Sequence, residues 1–374
     1  MSGVLAGLRV LDFTTLLPGP LATLMLADAG ASVVKVERKP GGDPGRANRP
    51  AQGGISVQFA LLNRGKRSIA ADLKNAEERA AVLALAREAD VLVEQFRPGV
   101  MDRLGLGYAA LREQNPRLIY CSITGFGQDG PLAQVAGHDL TYLARAGMLA
   151  LTDDGTGKPA LPCGQIADVG GGSLPAVVNI LLALIRRQAT GEGCHLDVAM
   201  TENVLAWMPR VIAPLLLGVA APAPGKGRHM GGSPRYGIYT ARDGVAFAVA
   251  PLEPQFWRRF CELIALDPAL RDDTTNPDAT RAGVAACMAQ RDAADWEAVF
   301  AGEDVCVERV RTPAEALADL HVAARGLFDR RVALPEGGNL PALPVPIAAA
   351  LLGATPEAAP ALGEAGATAD LWRR

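Results

Sequence analysis

Apolar and polar residues alternate in short blocks along the first half of the chain. Leu8-Arg9-Val10-Leu11-Asp12-Phe13 predicts a strand, and Pro18-Gly19-Pro20 predicts a turn. The apolar stretch after it predicts a helix running to about Ala29, with Gly30 placed as its C′ residue. Ser32 to Glu37 is β-branched and predicts a second strand. A strand, helix and strand over so few residues form a βαβ unit, hence a parallel pair with a right-handed crossover. Asn75 predicts a helix N-cap, with Glu78 completing a capping box, and that helix leads into the strand Asp90-Val91-Leu92-Val93-Glu94. Arg117 to Ile123 predicts another strand. From Asp168 the pattern is a Gly-rich turn, a long apolar helix, a strand His195 to Ala199, and a helix from about Thr201. The longest apolar run, Leu174 to Ile185, contains Asn179 and is too short to cross a bilayer, so it reads as a buried helix.

The pattern changes after residue 220. Residues 221–234 are dense in Pro and Gly and predict a linker or loop. Gly237-Ile238-Tyr239 and Val245 to Val249 predict a hairpin joined by Arg242-Asp243-Gly244, and helical patterns fill about 254 to 320. A second Pro/Gly-rich passage spans Pro335 to Pro346. The predicted organisation is therefore a large α/β domain over 1–220, a linker over 221–234, a smaller α+β domain over 235–325, and a C-terminal segment over 326–374.

Composition narrows the class. At 374 residues the chain suits two domains of roughly 150 residues each, or one large one. Its hydrophobic fraction of 49% and charged fraction of 21% are those of a packed globular protein, which excludes disorder. A formal net charge of −3 gives no reason to expect nucleic acid or an anionic membrane as partner. The six cysteines are scattered without a CxxC, which removes zinc-ribbon and thioredoxin readings and suits a reducing cytoplasm in which they are mostly small buried hydrophobes. Met1 to Leu17 lacks a basic n-region, and Leu371-Trp372-Arg373-Arg374 carries no targeting address, so the expected location is cytoplasmic.

Glu37 ends the second strand where a ribose-binding acid of a dinucleotide fold would sit, but the GxGxxG fingerprint is missing and prolines occupy the turn. His195-x-Asp197 places two ligand types on one strand face with no third at ligand spacing, so no metal is expected. Nothing near Cys121 or Cys163 would activate a thiol, and both read as buried packing. Two motifs carry more. Gly137-His138-Asp139 follows a Gly-rich loop and precedes an apolar helical run; a His at a helix start can serve as a neutral base, or simply cap the helix. Asp168 precedes three glycines, where an acid lies beside unpaired helix N–H groups that can bind an anion or oxyanion; an N-cap role fits the local sequence equally well.

Several segments in series resemble the family III CoA-transferases, and within that family most closely the α-methylacyl-CoA racemases. They are Leu8-Arg-Val-Leu-Asp with Pro18-Gly-Pro, Gly65-Lys-Arg-Ser with Asp72-Leu-Lys, and Phe96-Arg-Pro-Gly-Val100. Further on come Arg117-Leu-Ile-Tyr, Gly125-Phe-Gly-Gln, Gly137-His-Asp, Ala167-Asp with its glycines, and Leu252-Glu-Pro-Gln-Phe256. They follow family order over about residues 5 to 320.

The resemblance implies a Rossmann-like large domain with a parallel sheet, a smaller domain on long linkers, and an interlocked homodimer. The 326–374 segment is then expected to return to the large domain. The implied partner is an acyl-CoA, with coenzyme A part of the substrate and no separate cofactor. Arg38 matches the family's CoA-binding arginine, Ala70, Ala71, Asp72 and Leu73 match its nucleotide-contacting stretch, and Arg97 is the implied phosphate partner. Gly137, Asp139 and Tyr142 join the CoA-binding set. Lys66 and Arg67 remain open to a simpler reading as solvated charges. Asp168 matches the acid shared across the family, His138 the second base of the racemase branch, and Glu253 the acid that pairs with that His. A base on each face of a planar enolate is what 1,1-proton transfer at an α-carbon requires. The implied activity is acyl-CoA racemase or epimerase; the alternative is CoA transfer between carboxylates through an acyl-Asp168 intermediate. N–H groups around Gly170 to Gly172 are the expected enolate donors. The acid lies in Cys163-Gly164-Gln165-Ile166-Ala167-Asp168-Val169, which departs from the racemases' Asn-Leu and Phe neighbours and leaves the acyl group open.

Overall fold

Six strands form one all-parallel sheet: β1 (Arg9–Asp12), β2 (Ser32–Arg38), β3 (Arg67–Ala71), β4 (Val91–Glu94), β5 (Ile119–Thr124) and β6 (Cys194–Ala199). Their spatial order is β3-β2-β1-β4-β5-β6, the doubly wound order in which strand progression reverses between β1 and β4. This computed structural model describes residues 3–354, 358–366 and 369–372. The outer ends of the terminal segments, Met1-Ser2 and Arg373-Arg374, lie outside them.

The central strands β4 and β5 are buried along their whole length, as a parallel sheet covered by helices demands, whereas the edge strand β6 leaves His195 and Asp197 exposed. Helix α1 (Pro18–Asp28) covers one side, with ten of its eleven residues buried. Its start corrects the predicted turn, because Pro18 opens the helix at N1, where a missing N–H costs nothing. Helix α2 (Ala76–Glu88) is capped by the Asn75 side chain. The Glu78 carboxylate accepts instead from the Asp72 N–H at 2.8 Å, so the expected reciprocal capping box does not close.

The largest departure is at the glycines. Ala167–Ser173 is a π-helical stretch rather than an open turn, and it runs directly into α3 (Leu174–Thr190). A Cβ on Gly171 would stand 2.5 Å from the Met200 carbonyl oxygen, so only glycine lets this wide turn pack against α4 (Met200–Leu205). Ala167–Thr190 is also the one helix among the described residues long and apolar enough to cross a membrane. It is less buried than its sequence suggests. Ala176, Ile180 and Ala183 pack inward, whereas Val178, Leu182 and Ile185 are more than half exposed.

Charges occupy the strand ends. Lys66 is not solvated: its ammonium is fully buried and donates to Asp12, Thr23, Asn63 and the Pro20 carbonyl at 2.8–3.2 Å. Lys35, equally buried, pairs with Asp43 at 3.0 Å. Arg67 is half-buried and donates to Ser32. Glu37, the supposed ribose acid, is held by Arg46 at 2.7 Å and Ser68 at 2.6 Å. Of the six cysteines only Cys121 and Cys261 are buried; Cys163 and Cys306 are exposed.

The chain divides into two compact units. Unit one comprises 1–146, 162–208 and 325–374; unit two comprises 147–161 and 209–324. The 325–374 segment thus belongs with the parallel sheet, and residues 209–220, read above as part of the large domain, belong to the second unit. That unit holds a three-stranded antiparallel sheet of β7 (Gly237–Thr240), β8 (Ala246–Val249) and β9 (Val307–Arg309). Helices α5 (Pro254–Leu263), α6 (Pro277–Met288) and α7 (Ala293–Phe300) surround a core in which Trp296 stacks on Phe300 at 5.5 Å.

Candidate active site

In open parallel sheets the ligand crevice forms at the carboxyl ends of the strands, where the strand order reverses. A cleft of about 320 Å³ lies there. Leu16 and Pro18 reach it from the end of β1, Gln95 to Pro98 from β4, Ile123 to Phe126 from β5, and Met200 from β6. His138, Gly137, Tyr142 and Asp168 complete the wall. Five of the residues singled out in the sequence (Arg97, Gly137, His138, Tyr142 and Asp168) therefore meet in one cavity, although the sequence scatters them over 72 positions.

Each is placed by local structure. His138 is the extended N-cap residue of a short helix, Asp139–Arg145. Thr141 secures its backbone, accepting from the His138 N–H at 2.9 Å and donating to the His138 carbonyl at 2.7 Å. The exposed imidazole is thereby presented at the cleft. Tyr142 is buried one turn later and meets Phe126 edge-on at 5.3 Å. A Cβ on either Gly125 or Gly137 would fall 2.3–2.4 Å from its ring, which explains both glycines.

Asp168 is half-buried in the π-helical turn, and its N–H donates to Asp139 Oδ1 at 2.9 Å. Burial and the neighbouring Asp139 charge push its carboxyl up to about 6, with His138 acting in the opposite direction. A wide helical turn carrying a perturbed acid into a cleft is a common mark of a functional position. Gly170, Gly171 and Gly172, expected as oxyanion donors, are buried within the helix, and none of them lines the cleft. Asp139 has a protein partner of its own, as the support of Asp168.

Arg38 and residues 70–73 are not in the cavity. Arg38 is exposed at the end of β2, where its Nε donates to the Gly42 carbonyl at 3.1 Å. Ala70 and Ala71 end β3, and Asp72 and Leu73 follow. They share the sheet edge with the cleft but lie on the other side of the strand-order reversal. From β3 to β5 is four strand spacings, on the order of 20 Å. Glu253 lies in the second unit as the exposed N-cap residue of α5, with no capping bond from its side chain. Among the described residues no three His, Cys, Asp or Glu side chains gather at metal-binding distance.

Sequence reasoning missed Gln95 and Glu94. The Gln95 amide donates to the Thr15 carbonyl at 2.8 Å and accepts from the Gly19 N–H at 3.2 Å, so it ties the loop after β4 to the start of α1. Their position at the end of an apolar strand was the only available signal.

The chain matches the family model described as CoA-transferase family III over residues 5–366. It is 35% identical over 357 residues to an alpha-methylacyl-CoA racemase of Mus musculus, covering 94% of this chain and 87% of that protein. It is 36% identical over 346 residues to an acetyl-CoA:oxalate CoA-transferase of Acetobacter aceti, covering 90% and 88%. The crystal structure of a CAIB/BAIF family protein from Brucella suis superposes with a TM-score of 0.84 at 31% identity, covering 98% of both chains.

Proposed function

The chain belongs to CoA-transferase family III, and we propose that within it this protein is an acyl-CoA racemase or epimerase acting at the α-carbon of a 2-methylacyl-CoA or related thioester. The observation that carries this reading is the convergence of His138 and Asp168 on one cleft, close enough for their charges to interact. In one direction the Asp168 carboxylate takes the α-proton and the protonated His138 returns one to the opposite face; in the other direction the roles exchange. A group that must both accept and donate works best near the operating pH, and Asp168 is lifted toward that range. Coenzyme A enters with the substrate, and no separate cofactor or metal is required. The proposed path for its nucleotide end runs along the sheet edge to Arg38 and residues 70–73, with Arg97 beside the cleft as phosphate partner.

Glu253 is proposed to pair with His138, supplied by the partner subunit of an interlocked homodimer in the cytoplasm. The exposed apolar face of α3 favours association of this kind. CoA transfer through an acyl-Asp168 intermediate is the second reading, favoured by the likeness to an oxalate CoA-transferase and by an Asp168 carboxyl that opens on the cleft. Incubation of one enantiomer of a 2-methylacyl-CoA in deuterated water separates the two. Deuterium at the α-carbon with loss of optical activity, and without added carboxylate, supports the racemase. Retention of the α-proton with CoA moving to an added acid supports the transferase.

A further inference from the structure

Beneath the loop that follows β4 lies a second cavity, of about 240 Å³, which shares Arg97 and Pro98 with the wall of the cleft. Glu94, the last residue of β4, is buried at 4% exposure and lines it. One carboxylate oxygen accepts from the Phe96 N–H at 2.8 Å. The carboxyl is also hydrogen-bonded to Ser122, its register partner on β5. The Ser122 hydroxyl in turn lies 2.9 Å from His195 Nε2, on β6. His195 is fixed in orientation, stacked on Tyr108 and edge-on to Tyr120, each at 5.2 Å. A buried carboxyl is thus spanned across three adjacent strands, and its free end grips the backbone of the loop that faces the substrate. A buried carboxyl side chain is expensive, and the proton acceptance of racemisation or transfer does not use this one.

We propose that Glu94 is a positioning residue for substrate binding, holding the Gln95–Pro98 loop against the cleft through its bond to the Phe96 N–H, with Ser122 and His195 fixing the carboxyl from behind. This rests on the reading that the loop faces coenzyme A, and on neither choice of chemistry. Without Glu94 the Phe96 N–H loses its acceptor; the loop keeps its ties through Gln95 to Thr15 and Gly19 but loses the one that sets Phe96 and Arg97 in the cleft wall. Binding then suffers while the proton-transfer groups, held by other elements, stay in place.

The test compares Glu94→Leu, Glu94→Gln and Ser122→Ala, reading the Kd of free coenzyme A by calorimetry together with kcat and KM for the acyl-CoA. Glutamine keeps an oxygen for the Phe96 N–H and an amide for Ser122, so E94Q should lie within about twofold of the parent in Kd and KM. E94L should weaken both roughly tenfold, the effect of one lost buried hydrogen bond, with kcat changed less than about threefold. S122A should weaken Kd about two- to fivefold and carries the test should E94L fail to fold. Unchanged Kd in E94L, or in S122A where E94L is unfolded, overturns the proposal. So does an E94Q as impaired as E94L. A parent enzyme that binds no coenzyme A overturns the proposed function instead, and that outcome is distinct.

Discussion

Asp139→Asn isolates the charge that raises Asp168. The substitution keeps an oxygen at Oδ1, so the bond from the Asp168 N–H, 2.9 Å in the parent, survives while the negative charge goes. The Asp168 carboxyl stands at about 6 against an ordinary value of 3.8, a rise of roughly two pH units or about a hundredfold in its protonation equilibrium. Burial is the larger cause and remains in the variant; the Asp139 charge is the smaller, and His138 offsets part of both. Removing the smaller upward push should lower the carboxyl by about one pH unit.

The sign is fixed by the role of the group. As proton acceptor or nucleophile Asp168 works ionised, so kcat/KM falls as pH drops through about 6 in the parent. In Asp139→Asn the fall should begin about one pH unit lower. The measurement is kcat/KM from pH 4 to 8 in the direction that uses Asp168 as acceptor, with Asp139→Ala as a control that also removes the hydrogen bond. A limb that stays near 6, or moves up, would refute the reasoning, since burial would then carry the whole rise. The outcome does not depend on whether the chemistry is racemisation or transfer.

Asp168→Asn should abolish both inversion and transfer, and it should also stabilise the fold. A carboxyl raised in the folded state loses stability as pH rises from about 4 to about 6, so the variant should gain on the order of 1 kcal/mol at pH 7, allowing for solvent screening, and nothing at pH 3. His138→Gln should reduce inversion roughly 10²-fold or more, while α-proton exchange through Asp168 persists; normal inversion by this variant would end the two-base assignment. Light scattering at micromolar concentration should report a dimer, and a monomer would remove the interlocked arrangement with Glu253 from the partner. Asp12→Asn should destabilise the fold by about 3–5 kcal/mol, read as a lower denaturant midpoint, because it leaves the buried ammonium group of Lys66 without its ion-pair partner, while Lys35 keeps Asp43.

The parallel sheet was legible because its central strands are apolar runs separated by helical stretches; all but one of its strands fall within a residue or two of their predicted places. The exception is β3, Arg67–Ala71, which only the family resemblance marked. Local chemistry was harder to see. Pro18-Gly19-Pro20 and Asp168 with its glycines both look like turns, yet both are helical; the glycines answer close approaches instead, Gly19 to Thr14, Gly170 to the Trp207 ring, and Gly171 and Gly172 to Met200 of α4. Lys66 looked solvated because its partner Asp12 is 54 residues away, and only strand order brings the pair together. The bond from Asp168 to Asp139 has the same origin: 29 residues of separation, closed by two helix starts that meet.

Strand order also explains where chemistry is available. At the ends of β1 to β3 each buried charge has been answered. Although burial opposes its charge, Asp12 is held well below the carboxylate range by Lys35, Lys66 and two threonines. Glu37 is likewise held low, by Arg46 and Ser68. Groups so firmly ionised cannot exchange protons near neutrality; they fix the strand ends and the loops after them. Across the reversal the balance is withheld. Burial raises Glu94 to about 7, with Asp102 and Asp197 adding to the rise against its bonds from Ser122 and the Phe96 N–H, and burial with Asp139 raises Asp168 to about 6. Of these two, only Asp168 lines the cleft, whose wall also holds His138. The rigid, compensated half of the edge suits the binding of a long anionic substrate, and the uncompensated half suits proton transfer. On the proposed function, one sheet edge holds the nucleotide end of a thioester while a proton moves about 20 Å away, some four strand spacings along.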